Sequence, residues 1–196
     1  MEPAALDCGA PLRCPGGTRG IDASIWLRLG LEQESKLHAV ITRLARRHET
    51  HDFVPHLTVC GPTLDAASLG AASVYARTSA LLPLRVRAEG ITHAVGNPFE
   101  AVFIQIANSP ELLRLREDLR RITGAPELRP PHVSLFYGVR HPQMIVTFDA
   151  AALEPIAREC RAEVDESEYI LGRPAFARPG ETGTWLSVSE WRVRDL

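Results

Sequence analysis

The sequence predicts an α+β protein of two similar lobes facing one cleft, and a repeated motif is the first observation behind this prediction. One copy reads Pro-His-Leu-Thr-Val at residues 55–59, and the other reads Pro-His-Val-Ser-Leu at residues 131–135. The second observation is that helical and strand-like patterns alternate in both halves of the chain, with one copy of the motif on a strand in each half. An internal duplication explains both observations.

The composition is that of an ordinary soluble globular protein. The chain has 196 residues, of which 45% are hydrophobic and 23% charged, enough to bury a substantial core. A formal net charge of −2 argues against broad electrostatic binding of nucleic acid, although a local basic cleft for a small nucleotide is compatible with it. The sequence contains no apolar run of membrane-helix length and no signal-peptide pattern. We therefore expect a protein of the cytoplasm or nucleus with no membrane partner.

The first half of the chain begins with a segment rich in Pro and Gly. Residues 1–20 are predicted to be a flexible tail, followed by a single bilobal domain at residues 21–196. In the first strand Trp26 points away from the neighbouring aliphatic side chains, either as packing or as a wall of the cleft. The predicted elements are a strand at 24–29, a helix at 32–48, the motif strand at 56–61, a helix at 64–80 and a strand at 84–95.

The second half contains the most clearly marked helix. Ser109 is a suitable N-cap, Pro110 suits the first turn, and Gly124 ends the helix. Its four arginines, 114, 116, 120 and 121, are predicted to form a solvated face. The predicted elements are a strand at 99–107, this helix at 110–123, the motif strand from 132, a helix at 150–160 and closing strands at 168–177 and 184–193.

The paired motifs indicate proton-transfer chemistry on a phosphate. Side chains alternate along a strand, so each His shares a face with the hydroxyl residue two positions later. Imidazole titrates near pH ~6.5, and one ring can accept a proton while the other donates one. Attack of water on a cyclic phosphodiester needs such a pair. His56 and His132 are therefore the candidate acid and base, and Thr58 and Ser134 can donate hydrogen bonds to the phosphate oxygens.

Other chemistries lack their sequence signals. The chain has no Gly-x-Ser-x-Gly, no P-loop and no His-Glu-x-x-His motif. His48 and His51 have no Cys, Asp or Glu partners at metal-binding spacing, so we predict no metal. Cys8 and Cys14 either close a small disulfide loop in the tail or remain reduced thiols.

The motifs resemble the paired His-x-Thr/Ser motifs of the 2H phosphoesterase superfamily, most closely its plant and yeast cyclic phosphodiesterases. The resemblance spans most of residues 23–193. It includes Phe-Val-Pro-His at residues 53–56, Tyr137 after the second motif, Trp26 in the first strand, and an aromatic strand with Phe99 and Phe103. For the two phenylalanines, a place in the core and a place in a base-stacking wall are both open.

The resemblance implies a bilobal α+β fold, with two pseudo-symmetric lobes and antiparallel sheets around a central cleft. It implies hydrolysis of ADP-ribose 1″,2″-cyclic phosphate to ADP-ribose 1″-phosphate, and of nucleoside 2′,3′-cyclic phosphates to 2′-phosphates, by a monomer with no metal or cofactor. The former compound is a by-product of tRNA splicing. By position, His56 and His132 would be catalytic and Thr58 and Ser134 would bind phosphate. The residues Tyr137, Trp26, Phe99 and Phe103 would line the substrate.

Three questions stay open at the level of sequence. Tyr137 is an odd number of residues from His132, so it reaches the same face only if the strand ends or bulges there. The division of acid and base roles between the histidines is undetermined. Two other functions also fit: a superfamily enzyme that acts on RNA ends, using a groove with Arg85, Arg87 and Arg129, and a nucleotide-binding module without turnover.

Overall fold

The computed structural model describes residues 23–63, 66–140, 144–146, 148–164, 167–180, 183 and 185–196. The predicted tail at residues 1–20, and with it Cys8 and Cys14, lies outside this part of the chain. Cys60 and Cys160 are buried free thiols. No helix in the described ranges is long and apolar enough to cross a membrane.

Helices and strands alternate along the chain, as predicted. The helix predicted at residues 110–123 has those bounds in the structure. In chain order the elements are β1 (Ala23–Leu29), α1 (Leu31–His48), β2 (His56–Thr63), α2 (Ala66–Thr78), β3 (Leu84–His93), β4 (Val102–Ile106), α3 (Pro110–Thr123), β5 (His132–Phe136), β6 (Val139–Arg140), β7 (Met144–Ile145), α4 (Ala150–Glu163), β8 (Glu168–Arg178), a 3₁₀ turn (Val188–Glu190) and β9 (Arg192–Asp195).

The large sheet closes on itself. Among the described residues, β1, β2, β5, β4, β3 and β8 pair in this order, and β8 also pairs with β1, so these six strands form a ring. The strand β9 extends the sheet along β8, and β6 and β7 form a separate small ladder. The strand pairs are antiparallel. The α+β fold class is therefore confirmed, with the strands of both halves joined in one sheet.

The ring has the symmetry of a duplicated unit. The segment β1-α1-β2-α2-β3 corresponds to β4-α3-β5-α4-β8, because β1 pairs with β2 as β4 pairs with β5. The pseudo-twofold axis passes between β2 and β5, which are neighbours in the ring. It therefore brings the two motif strands side by side.

Helices cover one face of the motif strands. The helix α1 packs on β5 and α3 packs on β2, so each helix covers the motif strand of the other unit. The aliphatic motif residues point into this layer and are buried: Leu57, Val59, Val133 and Leu135. In α3, Ser109 Oγ accepts a hydrogen bond from Leu112 N at 3.2 Å, as expected of an N-cap. Since the aliphatic side chains occupy the helical side, the His and hydroxyl side chains take the opposite face.

Two predicted strands are wrong in extent. The strand predicted at 99–107 is β4 and begins at Val102, because Phe99 lies in a turn where its N–H donates to Asn97 Oδ1 at 3.0 Å. Of the strand predicted at 184–193, the described residues 185–193 form a turn, the 3₁₀ turn and the start of the short β9. Here Trp191 Nε1 donates to Trp185 O at 2.9 Å. Because this bond joins residues six positions apart, the chain between them turns back on itself and does not run as an extended strand.

Candidate active site

The two motifs meet at the centre of the sheet. Leu57 of β2 pairs with Val133 of β5 in antiparallel register. One residue further along in either direction, this register sets His56 opposite Ser134 and Thr58 opposite His132. Each imidazole thus lies across from the hydroxyl residue of the other motif, and all four side chains share one face.

These side chains line a cavity of about 380 Å³. Its walls come from β1, β2, β5, α3, the turn before β4, the loop before β5 and the segment before β9. Besides the four motif side chains, they include Trp26, Phe99, Tyr137, Trp185, Trp191, Glu100, Arg116 and Arg129. The cavity is the central cleft expected between the two halves.

Both histidines are oriented by the backbone in the same way. His56 Nδ1 lies 2.7 Å from Val54 O, and His132 Nδ1 lies 3.0 Å from Pro130 O. A carbonyl oxygen only accepts hydrogen bonds, so each neutral ring donates from Nδ1 and carries its lone pair on Nε2. Nε2 is therefore the nitrogen of each ring that can take part in proton transfer with a ligand.

His56 lies in an apolar, aromatic environment. Its ring stacks on the Trp26 indole at 3.5 Å between centroids, with an angle of 8° between the planes. The side chain is buried, and burial lowers its pKa from the usual value near 6.5 to about 3. The positive charge of Arg28 acts in the same direction, as does a charge on His132. His56 is consequently a neutral ring at physiological pH.

His132 has a more polar environment. Its side chain is 22% exposed, and its Nε2 lies 3.8 Å from Glu100 Oε1. The other oxygen of Glu100 accepts from Arg129 Nη1 at 3.1 Å, which fixes the carboxylate. Phe103 contacts the His132 ring edge-on at 5.3 Å. Among the described residues, Glu100 lies beside the His132 ring, and no carboxylate forms an ion pair with His56.

The two motif hydroxyls also differ. Ser134 Oγ donates to Phe99 O at 2.8 Å and is hydrogen-bonded to the Tyr137 hydroxyl. Thr58 lines the cavity on the other strand. Tyr137 is buried and stacks on Phe53 at 3.6 Å, and burial raises its pKa. Because β5 ends at Phe136, Tyr137 is free of the strand alternation, and it reaches the cavity as the sequence analysis required.

The fold has similar counterparts among solved structures. No protein-family model matches the sequence, and no curated protein matches it. Among solved structures, Escherichia coli LigT with bound NADP+ is similar, with a TM-score of 0.56 and 14% identity over 91% of this chain and 96% of LigT. A structure described as a phosphoesterase has a TM-score of 0.54 and 14% identity over 90% of this chain and 95% of its own. The fold is that of the LigT-like 2H phosphoesterases. At this identity the comparison establishes the fold and leaves the chemistry to the geometry of the site.

Within this LigT-like fold, the four aromatic residues predicted to line the substrate differ in whether they line the cavity. Trp26, Phe99 and Tyr137 line the cavity. Phe103 is not part of the cavity wall and packs edge-on against the His132 ring, so its contact with substrate stays a prediction.

The structure also shows where the arginines of the predicted basic groove and the two histidines considered as metal ligands lie. Arg129 lines the cavity, whereas Arg85 lies on β3 in an ion pair with Glu168 at 3.2 Å, and Arg87 is exposed on the same strand. His48 packs edge-on against Phe136 at 5.2 Å, and His51 is buried. In the part of the chain that the structure describes, no three His, Cys, Asp or Glu side chains form a metal-binding group.

Among the cavity residues that sequence reasoning missed are two tryptophans and two charged residues. Trp185 and Trp191 form an aromatic corner with Trp26, at 6.3 and 5.4 Å between centroids. The chain has only three tryptophans, so two of them close together near the C-terminus were an available signal. Glu100 and Arg116 had no local signal, because charged residues in a turn and on a helix resemble ordinary surface.

Proposed function

We propose that this protein is a metal-independent phosphodiesterase that opens cyclic phosphates on nucleotides. The proposed reactions convert ADP-ribose 1″,2″-cyclic phosphate to ADP-ribose 1″-phosphate and nucleoside 2′,3′-cyclic phosphates to 2′-phosphates. The observation that carries the proposal is the crossed pair of His and hydroxyl residues on one cavity wall, with both Nδ1 atoms held by carbonyls. Structures of LigT with phosphate, 3′-AMP, ATP and NADP+ support a nucleotide ligand for this fold.

The surroundings of the histidines suggest their roles. His56 is neutral, with its lone pair on Nε2, so it is in the protonation state that a general base for the attacking water needs. His132 lies beside the Glu100 carboxylate and is suited to donate a proton to the leaving oxygen. The water oxygen bonds to phosphorus and one ester P–O bond breaks. The leaving oxygen is the nucleoside 3′ oxygen in one substrate and the ribose 2″ oxygen in the other.

The motif hydroxyls then act on the phosphate itself. Negative charge builds on the non-bridging oxygens as water attacks, and hydrogen-bond donors aimed at those oxygens stabilise it. Thr58 can donate from one strand and Ser134 from the other, and Tyr137 supports Ser134. The tryptophan corner gives a flat apolar surface for a base. On this proposal the enzyme clears the cyclic by-product of tRNA splicing.

The test is to incubate the protein with ADP-ribose 1″,2″-cyclic phosphate and, separately, with adenosine 2′,3′-cyclic phosphate. Phosphorus NMR distinguishes the cyclic ester from each monoester and therefore gives the regiochemistry. We expect the 1″-phosphate and the 2′-phosphate, at rates that EDTA does not change. Loss of turnover in EDTA, or a 3′-phosphate product, would contradict the proposal.

A further inference from the structure

The four arginines of α3 are not equivalent. Sequence reasoning assigns all four to a solvated face, but Arg116 is half-buried and its guanidinium donates to the Arg129 carbonyl. Among the described residues, no carboxylate forms an ion pair with Arg116. The other three each pair on their own helix: Arg114 with Asp118 at 3.8 Å, Arg120 with Glu117 at 2.7 Å, and Arg121 with Glu117 at 3.0 Å.

A half-buried guanidinium without a carboxylate partner is energetically unfavourable. Removing a charge from water costs free energy unless an opposite charge or several hydrogen bonds compensate. The lowered pKa of Arg116 reflects this desolvation, which the negative charge of Glu127 only partly offsets. The missing anion would have to come from outside the described residues. A ligand phosphate is suitable, because its oxygens match the paired donors of the guanidinium.

Arg116 lies where two cavities meet. It lines the cavity of the two histidines, and it also lines a neighbouring cavity of about 450 Å³ between α3, β2 and the loop that follows α3. Gly61, Glu127 and Leu128 are the other residues that both cavities share. A substrate that extends from the first cavity into the second would pass Arg116.

We infer that Arg116 binds a second phosphate of the substrate, beyond the one that reacts, and that the neighbouring cavity holds the part of the nucleotide attached to it. This inference rests on the proposed function and names its substrate class. A cyclic mononucleotide has only the reacting phosphate. ADP-ribose 1″,2″-cyclic phosphate offers a diphosphate, and a short oligoribonucleotide with a 2′,3′-cyclic end offers a phosphodiester. The carboxylate of Glu117 at this cavity is neutralised by Arg120 and Arg121.

The test compares Arg116→Met with Arg114→Met, a matched change on the same helix at a residue that lines neither cavity. kcat/KM is measured for adenosine 2′,3′-cyclic phosphate, ADP-ribose 1″,2″-cyclic phosphate and a trinucleotide with a 2′,3′-cyclic end. A charged hydrogen bond of ordinary strength predicts about a 10- to 100-fold loss. In Arg116→Met, the loss on at least one of the two longer substrates should exceed the loss on the mononucleotide about tenfold, and Arg116→Lys should recover part of it. Arg114→Met should match the wild type.

The outcomes separate this inference from the proposed function. Equal losses on all three substrates, or no loss on either of the two longer substrates, would overturn the role of Arg116. The longer substrate with the larger loss identifies the source of the phosphate. Calorimetric binding of ADP-ribose 1″-phosphate and adenosine 2′-phosphate gives the same comparison without turnover. A wild-type protein that hydrolyses none of the substrates would contradict the proposed function, while the binding ratio would still decide the role of Arg116.

Discussion

The half-site on β2 and the half-site on β5 share one backbone arrangement. Each His donates from Nδ1 to the carbonyl two residues earlier, and each hydroxyl residue pairs with an aromatic residue on the outer neighbouring strand. These aromatics are Trp26, opposite Thr58, and Phe103, opposite Ser134. Since the pseudo-twofold axis relates β1 to β4, Trp26 and Phe103 occupy equivalent positions.

The half-sites differ in what surrounds each ring. Trp26 covers the face of His56 at 3.5 Å, whereas Phe103 touches His132 only edge-on at 5.3 Å and leaves it partly exposed. Glu100 lies beside His132, and no carboxylate is recorded beside His56 among the described residues. The duplicated backbone thus directs two imidazole rings into the same cavity. The neighbouring side chains differ, so that His56 is a neutral ring in an apolar environment and His132 lies in a polar environment. On the proposed function, this difference assigns the base and the acid.

The largest expected effect comes from removing either ring. His56→Ala and His132→Ala should each lower kcat/KM on a cyclic phosphate by about 10²- to 10⁴-fold, as is usual for a proton-transfer group. A phosphodiester with a 4-nitrophenyl leaving group separates the two roles. Its leaving group departs as a stable anion and needs no acid. With this substrate the defect of His132→Ala should shrink at least about tenfold, while the defect of His56→Ala should persist.

Both variants should keep the wild-type circular dichroism spectrum and thermal transition within a few degrees, so that lost activity does not report unfolding. If the activated ester rescues His56→Ala instead, the roles are reversed. Equal defects with both leaving groups would remove the assignment altogether.

An intermediate effect is expected at the hydroxyls. Thr58→Val keeps the shape of the side chain and removes a donor to the phosphate, with a predicted loss in kcat of about 10- to 100-fold. Ser134→Ala should cost less, because the Ser134 proton is donated to Phe99 O and must leave that bond to reach a phosphate. Steady-state kinetics of the two variants on one substrate provides the measurement. A larger loss in Ser134→Ala would show that this bond breaks on binding.

The features that could be predicted from sequence are those with local signals. Helix α3 was predicted in full because its cap, its first-turn proline and its apolar spacing act within a few residues. The motif strands could be predicted because aliphatic and polar side chains alternate along them. His56 and His132 could be predicted as a pair because the motif that contains them occurs twice. In each case the side-chain direction depends only on the strand itself.

The features that could not be predicted depend on distant segments. Arg116 resembles its neighbours on α3 in sequence, and it differs only because the loop carrying Arg129 folds against it. Trp191 reaches the cavity from the position directly after the 3₁₀ turn, a segment that has no periodic pattern. The closure of the ring through β1 and β8 joins strands more than a hundred residues apart, and no local propensity encodes it.

The smallest expected effect is on the free energy of unfolding, and it comes from the buried ring of His56. The pKa of His56 is about 3 in the folded protein and near 6.5 when unfolded, so between these values the unfolded chain binds the extra proton. His56 therefore lowers the free energy of unfolding as the pH falls from 6.5 towards 3, by at most about 1.4 kcal/mol per pH unit. Urea titrations of the wild type and His56→Gln at pH 7, 6, 5 and 4.5 measure this. His56→Gln should start less stable at pH 7 through loss of the Trp26 stack, yet lose less stability on acidification. Parallel pH profiles in the two proteins would mean that His56 is not held neutral, and the contrast between the half-sites would then lie in Glu100 alone.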